Sequence, residues 1–418
     1  MSHETIGGEG RCIYTMPALP SDVLRYREFQ HFFKEYRGAS FSVQTKDGWS
    51  WSSRSAHRPE FTATFSSRAE LDALINDSTE DSLSRMFLEG KLDIQGDLVV
   101  VLSVAEYVLR HSSGLSRSLI GTISRATRDW LRGLRNNHRS SSSTALRFSA
   151  CLSTLPVEFF QPWLGPSLGH FCAQFHNSKE SLQDAQQHAL EHVCSALKLD
   201  ECDQLLDMSC GWGTVLIHAV SEYGVRGRGW AFSEQQAATI RKRLRQRNLH
   251  WNCVVECRTS AQPAATRQGF DKIIDIGLFD HVAHFSFGSY LESASHTLNP
   301  GGMLLMHTTT RRPGAGCKAR ELPHLEPDGF GPLPLLSTEL QIAESSGYQI
   351  LMVEDLSEHY QRTLHHWIEQ LQCYAAPLAK AANREFRSWL FYLLDSAAKL
   401  DVGEVQLEQI LLRRASES

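Results

Sequence analysis

The stretch "LLDMSCGWGTVLIHAVSEYG", residues 205–224, sets an acidic residue and two glycines between an apolar run and an amphipathic helix pattern. The run ends on Asp207, and Gly211 and Gly213 make the turn. Glycine adopts backbone angles that strain other residues and lets a ligand approach where a Cβ would collide, while the start of the helix adds unpaired N–H groups. Asp207 can orient the turn or accept a hydrogen bond from a ligand amine. A dinucleotide site would require G-x-G-x-x-G, and a phosphate loop a Gly-Lys-Ser/Thr ending. Cys210-Gly211-Trp212-Gly213-Thr214 offers neither. The common occupant that remains is S-adenosylmethionine, a nucleoside with no phosphate and a cationic sulfonium.

The elements that must hold this turn alternate from about residue 150 onward. The patterns predict helices near 180–198, 213–223 and 234–247, and strands at 204–208, 227–232, 252–256, 271–276 and 302–308. Strands alternating with helices of this length imply an α/β fold with a parallel, doubly wound sheet, whose ligands sit beyond the carboxyl ends of the strands. Residues 1–108 read differently, with short apolar runs such as "FTATFSS" and "FLEGKLDIQGDLVVVLSV" between turn signals, as in a small α+β unit. Between them, residues 110–147 hold eight arginines and one acidic residue, Asp129. Ile120, Ile123, Trp130, Leu131 and Leu134 fall near helical spacing there, so this basic helix could lie on an anionic bilayer or simply be a solvated connector.

Composition limits the choices. The 418 residues carry 42 Lys+Arg against 47 Asp+Glu, a formal charge of −5 that does not suggest a nucleic-acid partner. The most apolar run, "LVVVLSV", is too short to span a bilayer, and the first residues lack the basic-then-apolar order of a secretory signal, so a cytoplasmic protein is expected. Ten scattered cysteines without a CxxC pair predict free, mostly buried thiols and no metal.

Seven blocks, in order, resemble the cyclopropane-fatty-acyl-phospholipid synthase family, which includes the mycolic acid cyclopropane synthases. They are "GHFCAQF", "ESLQDAQQHAL", the glycine turn, "FDKIIDIGLFDHVAHFSFGSYL", "LNPGGMLLMHTTT", "PDG" and "YQRTLHHW". The resemblance implies a class I S-adenosylmethionine methyltransferase fold over residues 150–418. It also implies a basic helix and linker at 109–149 and a lipid-binding or dimerisation domain at 1–108. The implied reaction transfers the methyl of S-adenosylmethionine to a cis double bond of a membrane phospholipid acyl chain. A bound bicarbonate then takes a proton from that methyl so that a cyclopropane closes. The enzyme would work as a homodimer, peripheral at the inner membrane surface.

Carried over block by block, the bicarbonate site falls on Cys172, Asp280, His307, Thr309 and Tyr360. The cofactor falls on Asp207, Gly211 and Gly213 for the methionine portion, Ser233 and Gln236 for the ribose, and Glu256 and Cys257 beside the adenine. Each has a plainer reading: Cys172 as a small buried hydrophobe, His307 as a core histidine at a strand end, Tyr360 as packing, Asp280 as a cap for the helix near 287. The chain also departs from the family. Asp280 replaces a glutamate and shortens the carboxylate by one methylene, and Thr309 stands where an apolar residue is common. Ser209 and Thr214 replace glycines of the turn, Ala231 a threonine, and His170 a tyrosine. Ser209 is tolerable if its φ is negative. Two other outcomes therefore stay open: a methyltransferase making a methyl- or methylene-branched lipid or methylating an amine, and a non-catalytic lipid-binding scaffold.

Overall fold

The computed structural model describes residues 31–54, 58–76, 85–97, 155–258, 269–276, 287–313, 333–401 and 403–416, with a few more between 100 and 107. Asp280, the basic helix, its linker and "PDG" lie outside the described residues. The chain divides into two compact units, Met1–Ser78 with Asp93–Arg110, and Thr79–Leu92 with His111–Ser418.

The first unit holds a four-stranded sheet in the order β2-β1-β3-β4, with β1 Phe41–Thr45, β2 Ser50–Ser52, β3 Phe61–Phe65 and β4 Leu92–Gly96. A hairpin turning at Asp47 and Gly48 sets β2 antiparallel to β1, while β3 runs parallel to β1 on its other side. Strand alternation turns Phe41, Val43, Phe61 and Phe65 inward. The Phe41 and Phe61 rings stack at 5.3 Å. Helix α1, Arg68–Asn76, follows β3.

The second unit is a seven-stranded sheet in the order β10-β11-β9-β8-β5-β6-β7. Its strands are β5 Gln204–Asp207, β6 Arg226–Ala231, β7 Cys253–Cys257, β8 Phe270–Ile276, β9 Leu298–Arg311, β10 Tyr348–Asp355 and β11 Val405–Arg414. β7, β6, β5, β8 and β9 are parallel; β11 runs antiparallel between β9 and β10. This is the class I methyltransferase fold, with the smaller α+β unit before it.

Both faces of this sheet are covered, so adjacent residues of β5 enter different cores. Leu205 packs among α3 (Leu182–Ala196), α4 (Thr214–Tyr223) and α5 (Glu234–Gln246), against Val193, Leu216 and Ile240. Leu206 packs on the other side with Tyr290 and Leu291 of α6 (Phe287–Thr297) and Ala343 of α7 (Leu336–Ser345). Ser181 caps α3 and Ser233 caps α5, each accepting a hydrogen bond from a backbone N–H three residues on. Three further helices approach the carboxyl edge or follow it: α2 Val157–Leu164, α8 Ser357–Cys373 and α9 Ala375–Asp401. The predicted elements from 180 to 276 agree with those observed to within two residues. β9 is longer than predicted, because it continues past β8 to pair with β11.

Candidate active site

A cavity opens where the carboxyl ends of β5 and β8 meet β9, and Cys172, Asp207, Gly211, Gln236, His307 and Tyr360 all line it. Six of the residues singled out from sequence thus share one space. Gly213, Ser233, Glu256, Cys257 and Thr309 are outside its lining, and Asp280 is outside the described residues.

The turn after β5 builds one half. Asp207 is buried and its Oδ1 accepts from the Ser209 N–H at 3.2 Å. Burial lifts its carboxyl to a pKa of about 7; the Ser209 N–H opposes this and the neighbouring Asp275 adds to it. Gly211 has φ +49° and Gly213 φ +81°, both in the left-handed region, whereas Ser209 keeps a negative φ. At Gly213 a Cβ would also stand 2.7 Å from Ile240 Cγ2, so this glycine lets α4 begin against α5. At Gly211 the nearest atom would be 3.9 Å away, and here the missing side chain leaves open cavity. Ser209 Oγ is buried with no protein partner on the same wall. A buried carboxyl, an orphaned hydroxyl and an open glycine suit a ligand with cationic and hydroxyl groups, as S-adenosylmethionine has.

Two further residues fix this turn: Arg243, which sequence reasoning passed over, and Thr214, which it noted only as a departure from the family. Arg243 of α5 donates to the carbonyls of Trp212 at 2.5 Å and Ser167 at 2.9 Å, and Thr214 Oγ1 donates to the same Ser167 carbonyl at 2.6 Å. Thr214 therefore ties the turn to the segment before α3, a role that a glycine could not fill. Burial, with Arg247 nearby, pulls the Arg243 pKa down to about 10, still charged at neutral pH.

At the neighbouring edge, Ser233 Oγ accepts from the Gln236 N–H, and Gln236 Oε1 accepts from the Phe232 N–H. Ser233 thus serves the helix, and Gln236 both braces the turn and lines the cavity. Glu256, near the end of β7, pairs with Arg228 and Arg258 at 3.4 Å each. The Arg258 guanidinium lies 3.9 Å from the centre of the Trp230 ring. Cys257 is the half-buried last residue of β7.

The other half comes from distant segments. His307 lies within β9 rather than at its end, but it pairs with Ile276, the last residue of β8, and so sits level with the carboxyl edge. It is 5% exposed, and burial drives its pKa down to about 4, opposed by the hydrogen bond to Gln409. The imidazole is neutral near pH 7. Cys172 packs with Leu356, Leu407 and Tyr360, and burial pushes its thiol far above the usual range, so it stays a thiol. Its six described companions include three other buried cysteines, Cys194, Cys210 and Cys253, and all seven described cysteines are free. Thr309, two residues beyond His307 on β9, is half-buried and pairs with Leu407 of β11.

Aromatic rings close this half: Phe160 of α2, Trp367 of α8, and Trp389 and Tyr392 of α9. Trp389 meets Phe160 at 5.4 Å and Tyr392 at 5.8 Å, edge-on in both cases. His170 stacks on Trp367 at 4.9 Å. Periodicity alone reads these residues as ordinary core, because only the fold shows that they border a space.

No metal was expected from the cysteines. His176, Glu180 and His188 nevertheless bring ligand-capable atoms within 4.8 Å of one another, a grouping that cysteine spacing does not reveal. The contact of His188 Nδ1 with Glu180 Oε1 at 2.9 Å and the stacked imidazoles of His176 and His188 at 3.9 Å account for that cluster. It is separate from the cavity lining.

Residues 154–410 match the family described as mycolic acid cyclopropane synthetase. The chain is 29% identical over 358 residues to the Pseudomonas putida protein named "Probable fatty acid methyltransferase", covering 81% of this chain and 84% of that one. It is 27% identical over 282 residues to cyclopropane mycolic acid synthase 3 of Mycobacterium tuberculosis, covering 62% of this chain and 94% of that one. The solved structure of mycolic acid cyclopropane synthase CmaA1 complexed with SAH and CTAB shares the fold at a TM-score of 0.58 and 24% identity, over 64% of this chain and 98% of that one. The chain belongs to the mycolic acid cyclopropane synthetase family of S-adenosylmethionine-dependent methyltransferases.

Proposed function

We propose that this enzyme methylates the cis double bond of an unsaturated phospholipid acyl chain and closes a cyclopropane there, with bicarbonate as the base. The observation that carries the reading is one cavity lined together by a polar turn at Asp207, Ser209 and Gly211, by Cys172, His307 and Tyr360, and by aromatic rings. S-adenosylmethionine would supply an electrophilic methyl group, and bicarbonate a base for the proton that leaves that methyl. Asp207 and Ser209 hold the cofactor's methionine portion, Gly211 lets it approach, and Gln236 and Ser233 face the ribose, with Glu256 and Cys257 towards the adenine. Gly213 supports them by starting α4.

An alkene is a weak nucleophile, and positive charge develops on its carbons as the new bond forms. Phe160, Trp367, Trp389 and Tyr392 line the cavity, and aromatic rings offer such a charge low polarity and electron-rich faces. The Tyr360 phenol and the Cys172 thiol or backbone N–H would donate hydrogen bonds to an anion, the neutral His307 would offer the ring nitrogen that Gln409 leaves free, and Asp280 and Thr309 would complete the ring of partners. These donors suit a small oxyanion.

The remaining parts of the reading follow the same logic. The basic stretch at 110–147 would bring the cytoplasmic enzyme to the anionic inner membrane surface, the first unit would bind lipid or pair two copies, and nucleic acid plays no part. No helix among the described residues is long and apolar enough to cross a membrane. The shortened carboxylate of Asp280 favours one second reading, a methyl- or methylene-branched product from the same alkene.

Expression in a bacterial host that makes no cyclopropane fatty acids, fed isotopically labelled methionine, tests the proposal by mass spectrometry of its lipids. Gain of one CH₂ per unsaturated chain with resistance to hydrogenation supports ring formation. The same gain with unsaturation retained identifies the branched product. Absence of lipid label, with soluble and cofactor-binding protein, overturns the lipid reading in favour of an acceptor such as an amine.

A further inference from the structure

Glu354, Gln409 and His307 stand directly opposite one another on β10, β11 and β9. Their side chains form a hydrogen-bonded row across three strands. Gln409 Oε1 lies 3.0 Å from His307 Nε2, and Gln409 Nε2 lies 3.3 Å from Glu354 Oε2. His192, reaching in from α3, places its Nε2 2.8 Å from the same carboxylate oxygen and 2.9 Å from Gln409 Nε2. Gln409 is 1% exposed, so its amide cannot turn to water for a partner.

The order of donors along this row follows from chemistry rather than from atom labels. A carboxylate accepts hydrogen bonds and donates none, so the Gln409 NH₂ must face Glu354. Turning the amide over would set its carbonyl oxygen against the carboxylate, two acceptors with no proton between them. His192 does not reverse this: its Nε2 carries at most one proton, 2.8 Å from Glu354 Oε2, and sharing that proton with a turned-over Gln409 oxygen would still leave two acceptors 3.3 Å apart. The Gln409 carbonyl is therefore left facing His307. A carbonyl only accepts, and the neutral imidazole has one N–H, which must be on Nε2.

We propose that Glu354, acting through Gln409, fixes His307 as its Nε2–H tautomer and so leaves Nδ1 as the ring atom that accepts a hydrogen bond. Glu354 and Gln409 are positioning residues, and neither is among the cavity-lining residues. The inference rests on the proposed function in one respect: if His307 belongs to the base site, its Nδ1 takes the proton of the bound acid or of a group beside it. A histidine of the other tautomer would offer a donor there instead.

The test is long-range ¹H–¹⁵N correlation NMR on the full chain labelled with [¹⁵N]histidine, the His307 signals being assigned from a His307→Gln variant. The expected wild-type pattern is the neutral Nε2–H tautomer. In Glu354→Gln the new side chain can donate as well as accept, so the Gln409 amide is free to turn and the Nδ1–H tautomer appears. The labelled-methyl transfer rate then falls roughly tenfold to a hundredfold, with cofactor affinity unchanged. The double variant Glu354→Gln with Gln409→Glu puts the acceptor-only group beside His307 and returns both the Nε2–H pattern and most of the rate. An Nδ1–H tautomer in the wild type, or an unchanged pattern in Glu354→Gln, overturns the inference. Because the NMR pattern is read without lipid or cofactor, it stands or falls separately from the lipid reading.

Discussion

The two halves of the cavity are assembled differently. The half proposed for the cofactor is almost continuous in sequence, running from Asp207 at the end of β5 through one turn, one helix and one strand to Gln236 at the start of α5. The half proposed for the acceptor draws Phe160, Cys172, His307, Tyr360 and Trp389 from three helices, one strand and a loop spread over more than half the chain. A local half constrains backbone shape, where a single Cβ matters; a dispersed half constrains side-chain chemistry, where protonation and ring faces matter. Substitutions should therefore separate binding of cofactor from transfer to acceptor.

The largest separation is expected at His307. His307→Ala should lower methyl transfer by about 100-fold or more while calorimetry finds cofactor affinity nearly unchanged. Asp280→Ala should do the same, and if both variants keep full activity the base assignment is wrong. The two glycines should then differ from each other. Gly213→Ala meets both a left-handed φ and Ile240, and should lose ~1–3 kcal/mol of stability together with cofactor binding. Gly211→Ala faces open space, so it should weaken cofactor binding with a smaller drop in melting temperature.

A third prediction concerns pH. The Asp207 carboxyl, at about 7, is raised above its unfolded value, so in the free enzyme it favours folding at low pH and loses that contribution as pH rises through 7. A cationic ligand prefers the ionised form. Cofactor affinity should accordingly rise up to ~10-fold per pH unit below 7 and level off above it. Calorimetry on Asp207→Asn should show that slope abolished; a slope that persists removes Asp207 from the cofactor contact. The smallest effect belongs to the aromatic wall. Trp389→Leu should lower kcat a few-fold, with cofactor affinity and the KM for acceptor nearly unchanged, because one ring is worth ~0.5–2 kcal/mol to a cation that develops only in the transition state.

The same contrast explains what was legible in the sequence. Asp207, Gly211 and Gly213 could be read because the chemistry and the backbone geometry coincide within a few residues. The alternation of strands and helices from 204 to 276 was equally plain. β11 was not read: it sits between two strands with both faces covered, so its pattern "VQLEQILLRR" is buried almost throughout and lacks the alternation of a half-exposed strand. Gln409 and Glu354 were missed for a related reason, since each is an ordinary polar residue until β9, β10 and β11 are in register. Cys172, His307 and Tyr360 came from family blocks rather than from pattern, and the fold places them around one space.

The central claim is that one cavity carries both the methyl donor and a lipid alkene, and that the transferred methyl itself loses a proton. Purified enzyme incubated with S-adenosylmethionine bearing a trideuterated methyl and vesicles of cis-unsaturated phospholipid tests it directly. The account predicts a saturated product whose new carbon keeps two of the three deuterons, because the third leaves as the ring closes. A product that keeps all three, or lipids that carry no deuterium while the enzyme still binds cofactor, would contradict it.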